Sequence, residues 1–287
     1  MRSWISLATS LLLLAVTARA GGPVDFGKSE LQAALAGRKL KTKVQAELSL
    51  DPPESFRIET YKAGGAHVTG SDLRGLMYGL IEAAEQIRST GKLKAVRGVP
   101  AMTVRGVRIA PQIADLRDPK FFADARWQAY FQMLARSRIN RFNLVVPLPE
   151  ARPAYVRFLS QTASDYGVDF TLGVRPPLGV PGELYAGLRK LLDACPMIRG
   201  VEIEAENQPV DFYRDNVFAA LRESGRRVTL DLHGAEQRSD LTKGALEAGV
   251  PLRVSRKSGS DDPGYEVHWE LHEASVTASV ETVRQKA

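Results

Sequence analysis

The sequence predicts an α/β protein, a small α+β N-terminal domain followed by a TIM-type (β/α) barrel that is incomplete at its C-terminal end. Three observations carry that prediction. From residue 102 onward, strand-like runs alternate with amphipathic helical runs, and the strands begin at 104, 142, 168, 200, 228 and 252, the rhythm of successive right-handed βαβ units. Those strands are apolar on one face and polar on the other, whereas the strands of an open sheet covered on both sides read as apolar throughout. One polar face per parallel strand fits a barrel with helices outside and a polar interior ending in a site. Finally, the 186 residues from 102 to 287 fall below the roughly 200–250 of a full barrel.

The chain of 287 residues is 44% hydrophobic and 25% charged, a balance that excludes wholesale disorder and a multi-span membrane protein. Cys195 is the single cysteine, so neither an intrachain disulfide nor a multi-cysteine metal site can form. Met1-Arg2, the apolar run Ile5–Val16 and Ala18-Arg19-Ala20 have the order of an export signal, with cleavage expected after Ala20. Twelve apolar-biased residues are too few to span a bilayer, where about 20 are needed. Removing Arg2 and Arg19 takes the formal charge from +6 to +4, a weak basis for nucleic-acid binding. The mature protein is therefore expected to be periplasmic or extracellular, with no nucleic-acid partner and no membrane contact.

Within residues 21–100, Lys28–Ala36 reads as a short helix, and Val44–Leu50 and Ser55–Tyr61 as strands divided by the turn Asp51-Pro52-Pro53. Ala66–Thr69 is a further short strand. Ser71 or Asp72 caps the clearest helix, in which Leu73, Leu76, Met77, Leu80, Ile81, Ala84 and Ile87 repeat at helical spacing until Gly91 stops it. Gly75 and Gly79 each cost that helix about 1 kcal/mol of propensity, which predicts close approach of another backbone. The domain boundary is placed near Pro100.

In the second domain, residues 101–287, the strands are Val104–Ala110, Phe142–Pro147, Val168–Val174, Gly200–Glu206, Val228–His233 and Leu252–Ser255. Helices Phe121–Arg138, Tyr155–Tyr166, Leu184–Ala194, Asp215–Ser224 and Leu241–Ala248 lie between them. Glu266–Glu270 reads as one more strand and His272–Ala287 as a polar tail. A barrel short of its last units leaves strand edges that must be covered or paired, and homo-oligomerisation is one way to do so.

Active sites of such barrels gather where the strands end. On Val201-Glu202-Ile203-Glu204-Ala205-Glu206 three carboxylates share a face; Glu202 reads as a structural charge, Glu204 and Glu206 as the catalytic candidates. Arg108, Asn143, Arg175, Asn207, Asp231, His233 and Arg253 are the candidate substrate-binding residues, with Trp269 available to stack on a sugar ring. The arginine forks suit a carboxylate or sulfate. Carboxylates converging in a cleft permit the paired acid/base chemistry of glycoside hydrolysis. Asp231 and His233 lack a third metal ligand, and no glycine-rich turn follows Ile109-Ala110-Pro111, so neither metal nor cofactor is expected. His67 reads as a packed or surface residue, and Cys195 as a buried small hydrophobe.

The run Val68–Ile87 resembles the helix of the small N-terminal domain that precedes the barrels of α-glucuronidases and bacterial β-hexosaminidases. Val104-Arg105-Gly106-Val107-Arg108 is similar to the first barrel strand of those enzymes, and Trp127–Phe131 with Leu134–Leu144 to the first barrel helix and second strand of the α-glucuronidase group. The resemblance covers roughly residues 40–150. It implies a glycosidase scaffold with an acid near Glu204 or Glu206, although the adjacent Asp-Glu pair of hexosaminidases is replaced here by Glu204-Ala205-Glu206-Asn207. Two functions follow: an exported glycoside hydrolase acting on polysaccharides or oligosaccharides, uronic-acid-bearing ones given the inner arginines, or a catalytically degenerate carbohydrate-binding relative.

Overall fold

The computed structural model describes residues 21–62, 65–175, 182–204, 208–235 and 237–255, with the backbone of Tyr265–Leu271 and Ala274–Ala278. The leader expected at residues 1–20 lies outside the described residues. Among those described, no helix is long and apolar enough to cross a membrane.

The chain begins with α1 (Pro23–Gly37), then β1 (Val44–Leu48), β2 (Phe56–Thr60), β3 (Ala66–Gly70), α2 (Leu73–Thr90) and β4 (Val96–Gly98). The strands form one sheet in the order β1-β3-β2-β4, parallel only between β1 and β3. Asp72 caps α2 as expected, its carboxylate accepting from the Gly75 amide at 2.7 Å. Gly91 ends the helix at φ 70°, the left-handed conformation that glycine adopts freely. The two helix glycines are explained by packing onto the sheet. A Cβ on Gly75 would stand 2.4 Å from the Ser55 carbonyl oxygen, the close backbone approach expected. At Gly79 the neighbours are side chains instead, with Val68 Cγ1 at 2.7 Å from such a Cβ.

Among the described residues the second unit contains six parallel strands. They are β5 (Val104–Ile109), β6 (Arg141–Pro147), β7 (Asp169–Arg175), β8 (Ile198–Glu204), β9 (Thr229–His233) and β10 (Leu252–Ser255). Short α3 (Ile113–Arg117) and then α4 (Asp124–Arg136) follow β5; α5 (Pro153–Asp165) follows β6, and α6 (Glu183–Ala194) follows β7. After β8 the helical stretch is α7 (Val210–Tyr213), a π-helical turn over Arg214–Phe218 and α8 (Ala219–Glu223); α9 (Ser239–Glu247) precedes β10. The curled sheet continues past β5 into an antiparallel hairpin, β11 (Tyr265–Leu271) and β12 (Ala274–Ala278). The result is a partial TIM-like barrel.

The hairpin corrects two expectations. The strand foreseen at Glu266–Glu270 pairs antiparallel to β5 rather than extending the parallel series, and the polar tail after His272 contains β12. β11 covers the free edge of β5, and β12 comes alongside β10 with Cα atoms within 8 Å. A hairpin needs only a short turn, whereas each parallel unit needs a crossover of a dozen or more residues. Two strands thus lie between the edges of β5 and β10 without a crossover helix between them.

Alternation along the strands sorts the side chains as the sequence implies. Phe142, Leu144, Phe170, Leu172, Val201, Ile203, Leu230 and Leu232 are buried beneath the helices, in one apolar core that also takes in Phe26, Ile58, Met77 and Ile81 of the first unit. Ion pairs join the two units around that core. Glu54, in the turn before β2, accepts from Arg74 Nη1 at 2.6 Å, from Asn140 Nδ2 at 2.9 Å and from Arg105. Glu82 pairs with Arg138, and Glu30 accepts from Arg88 and Arg136, each at 2.7 Å. Burial alone pushes the Glu30 carboxyl up, but the hydrogen bonds and charges of Arg136 and Arg88 outweigh it and hold the group below its ordinary value.

A folded-state pKa below the unfolded one stabilises the protein above the unfolded pKa, and that stabilisation is lost as pH falls through the folded value. Glu30→Gln is therefore expected to lower stability by about 1–3 kcal/mol at neutral pH. Its difference from the parent should shrink as pH falls below about 4. Urea melts at a series of pH values would read both effects; a pH-independent difference would remove the ionic explanation.

Candidate active site

The polar faces of the strands meet inside the barrel as a continuous hydrogen-bonded chain. Arg108 Nε donates to Glu202 Oε1 at 2.8 Å, and Asn143 Nδ2 donates to Glu202 Oε2 at 2.7 Å. Arg141 Nε donates to Asn143 Oδ1 at 2.8 Å, and its Nη2 donates to Asp231 Oδ2 at 2.6 Å. Ser255 Oγ donates to Asp231 Oδ1 at 2.7 Å and stands 3.1 Å from His233 Nδ1. With the serine proton committed to Asp231, the serine oxygen accepts from His233 Nδ1–H, which assigns the imidazole proton and fixes the ring. All these side chains are buried, Glu202 and Asp231 almost completely. Buried charges survive only when paired and fully hydrogen-bonded, and this chain supplies that condition.

At the C-terminal end of the strands the network reaches solvent through Glu204. Its Oε1 lies 3.3 Å from Arg108 Nη2 and 4.0 Å from Arg175 Nε. Arg108 is thus shared between Glu202, sealed below, and Glu204, whose side chain is 24% exposed; that of Arg175 is 42% exposed. Two guanidiniums on one carboxylate oxygen suit a group that acts as an anion. Glu150 lies at the same end, just past β6, and accepts from Arg117 Nη2 at 3.3 Å.

The structure therefore gathers Arg108, Asn143, Arg175, Glu204, Asp231 and His233 on one connected interior surface. Only Glu204 and Arg175 stand at an opening; Asn143 and Asp231, expected to meet a sugar, are enclosed and occupied by Glu202 and Arg141. The physical reason is volume. A small barrel fills its interior with side chains, so polar residues facing inward make a solid polar core except at the rim. Arg253 does not join Glu204: it lines a cavity at the opposite end of the barrel. Trp269 is in register with Arg105 on β5, and its side chain, like Glu206 and Asn207, lies outside the described residues. Glu202 is paired inside the barrel with Arg108 and Asn143. Cys195 is buried, and burial pushes its thiol up to about 11, so it is no nucleophile at neutral pH. His67 pairs with Glu47 at 3.1 Å on the small sheet. Among the described residues no group of three or more His, Cys, Asp or Glu side chains is arranged to hold a metal ion.

Arg141, Ser255 and Glu150 were not singled out by the sequence. Arg141 opens its strand and Ser255 closes one, positions where polar residues are common; their roles arise from register across the barrel. Glu150 follows a strand end in Leu148-Pro149-Glu150, and that position was the available signal.

No family model matches the chain, and no curated protein matches it by sequence. Solved structures match its fold. A GH138 enzyme targeting pectin rhamnogalacturonan II aligns over 82% of this chain with a TM-score of 0.70 at 16% identity. A family GH20 β-N-acetylglucosaminidase aligns over 83% of this chain and 72% of its own length, with a TM-score of 0.53 at 13% identity. A family GH115 4-O-methyl-α-glucuronidase with specificity for decorated arabinogalactans gives the same coverage of this chain and the same TM-score at 12% identity. The present chain spans 46% of the GH138 enzyme and 43% of the GH115 enzyme. The fold is that of glycoside hydrolases.

Proposed function

We propose that this protein is an exported glycoside hydrolase that acts on uronic-acid-bearing polysaccharides or oligosaccharides at the C-terminal end of its barrel. One observation carries the proposal: Glu204 stands at the rim with its carboxylate between Arg108 and Arg175, the latter open to solvent. In this reading Glu204 is the anionic member of a carboxylate pair, serving as nucleophile or base, and Arg175 binds the sugar carboxylate by its fork. Glu206, two residues on, is the proposed partner acid. The GH138 enzyme targets pectin rhamnogalacturonan II, and the GH115 enzyme is a 4-O-methyl-α-glucuronidase with specificity for decorated arabinogalactans, which agrees with the arginines at this rim.

A second reading is favoured by the hairpin. Six parallel strands plus β11 and β12 replace the eight βα units from which these barrels draw catalytic loops, so the chain would bind glycans without cleaving them. A panel of aryl glycosides and oligosaccharides bearing uronic acids or N-acetylated sugars decides between the two. Turnover supports the hydrolase. Saturable binding in calorimetry with no product over days supports the binding protein, and neither turnover nor binding on any uronic-acid-bearing ligand sinks the carbohydrate proposal.

A further inference from the structure

The N-terminal ends of the barrel strands line a cavity of about 380 Å³ between the barrel and the small N-terminal unit. That volume suits a small-molecule ligand, and the lining is heavily cationic. Arg74 reaches it from α2 and Arg141 from β6; Arg199, Arg227 and Arg253 come from the lower ends of β8, β9 and β10. Two carboxylates share the cavity, and both are engaged. Glu54 accepts from Arg74, Asn140 and Arg105, and Asp169 accepts from Arg74 Nη2 at 2.8 Å. Arg141 is paired with Asp231 below the strand ends.

Arg199 and Arg227 have no hydrogen-bond or ion-pair partner among the described residues. Arg74 Nε is buried and carries no hydrogen bond, although both terminal nitrogens of that guanidinium are used. One buried guanidinium donor without an acceptor and two exposed arginines without a counter-charge, brought to the same cavity, mark a place where an anion lowers the free energy.

We propose that this cavity is an anion site for a dianionic tetrahedral oxyanion, phosphate or sulfate, either free or as an ester on a sugar. Adjacent strands are about 4.8 Å apart, so guanidiniums from β8, β9 and β10 approach one ligand from successive positions around the cavity. A tetrahedral oxyanion offers four oxygens and up to two charges to several forks at once, more than the two oxygens and single charge of a carboxylate. The site lies at the opposite end of the barrel from Glu204 and stands whether or not the rim cleaves glycans. Because Arg74 belongs to the first unit and the other arginines to the second, a bound oxyanion ties the two together.

Titration of the full chain with inorganic phosphate and sulfate, at ionic strength held constant with chloride, tests this in calorimetry and in thermal melts. Saturable binding is expected, with a rise in Tm of about 5 °C at a hundredfold excess over Kd. The double variant R199Q/R227Q, altered at two exposed side chains, should weaken binding at least about 10-fold; R227Q alone, with an intermediate loss, keeps the test if the double variant folds poorly. Galactose 6-sulfate and glucose 6-phosphate form the second arm. Tighter binding than the inorganic ions identifies a sugar ester as the ligand, and weaker binding identifies the free ion. An equal response to chloride or acetate, or unchanged binding in R199Q/R227Q, overturns the proposal.

Discussion

Replacing Glu204 with Gln is expected to lower kcat/KM by about 10³-fold on whichever glycan the parent protein turns over, within the range that a positioned carboxylate contributes. The substitution keeps the volume and one hydrogen-bond acceptor while removing the negative charge from the rim. The fold should tolerate it because Arg108 keeps its other partner, Glu202, at 2.8 Å, so no buried guanidinium is orphaned. Tm is accordingly expected to move by less than about 3 °C. Arg175→Gln gives a different signature. If Arg175 binds the sugar carboxylate, its loss should raise KM on uronic-acid substrates and leave neutral substrates little changed, the pattern of lost uniform binding. Steady-state kinetics with matched glucuronide and glucoside substrates, alongside circular-dichroism melts, would separate these effects. Unchanged turnover in Glu204→Gln would take this carboxylate out of the mechanism.

The parts of this fold that were legible in the sequence are those set by local pattern. Asp72 and Gly91 bound α2 because a cap and a left-handed stop are short-range requirements. The alternation in Val201–Glu204 and Thr229–His233 revealed which face looks inward because side chains switch sides at every residue of a strand. The same pattern could not say how deep each inward residue sits. Glu202 and Glu204 are two residues apart on one face, yet one is sealed and the other reaches the rim, because a strand rises about 3.3 Å per residue and two residues span a layer of the barrel. The sequence offered both as carboxylates on one face; depth comes only from how six strands are staggered around the interior.

Longer-range pairings were hidden for a related reason. Arg141 and Asp231 are 90 residues apart and meet across the barrel, and nothing near either residue announces the other. Ala274-Ser275-Val276-Thr277-Ala278 does alternate, but its polarity and small residues match a solvated tail as well as an edge strand. Arg199 and Arg227 resemble solvent-facing charges next to strand starts. Only the convergence of several strand ends beneath Arg74 turns them into a cavity wall.

The interior network makes a further large effect testable, this time on stability. Asp231 is fully buried and its two oxygens take hydrogen bonds from Arg141 Nη2 and Ser255 Oγ. Asp231→Leu strips the counter-charge from a guanidinium that is itself buried and removes the acceptor that orients Ser255 and, through it, His233. Breaking a buried pair from one side costs about 3–5 kcal/mol, chiefly because the remaining charge stays desolvated. The double variant Arg141→Met/Asp231→Leu removes both charges and is expected to recover at least about 1 kcal/mol relative to Asp231→Leu alone, since the penalty belongs to the orphaned ion. Urea denaturation of the parent, both single variants and the double variant completes the cycle. If the two single losses simply add, the charges are not coupled, and the barrel interior is held by packing rather than by this pair. A recovering double variant would show instead that the barrel tolerates an apolar interior at this layer. The polar lining is then a property this fold carries for the rim above it, where Glu204 and Arg108 draw on the same network, and not a requirement for folding.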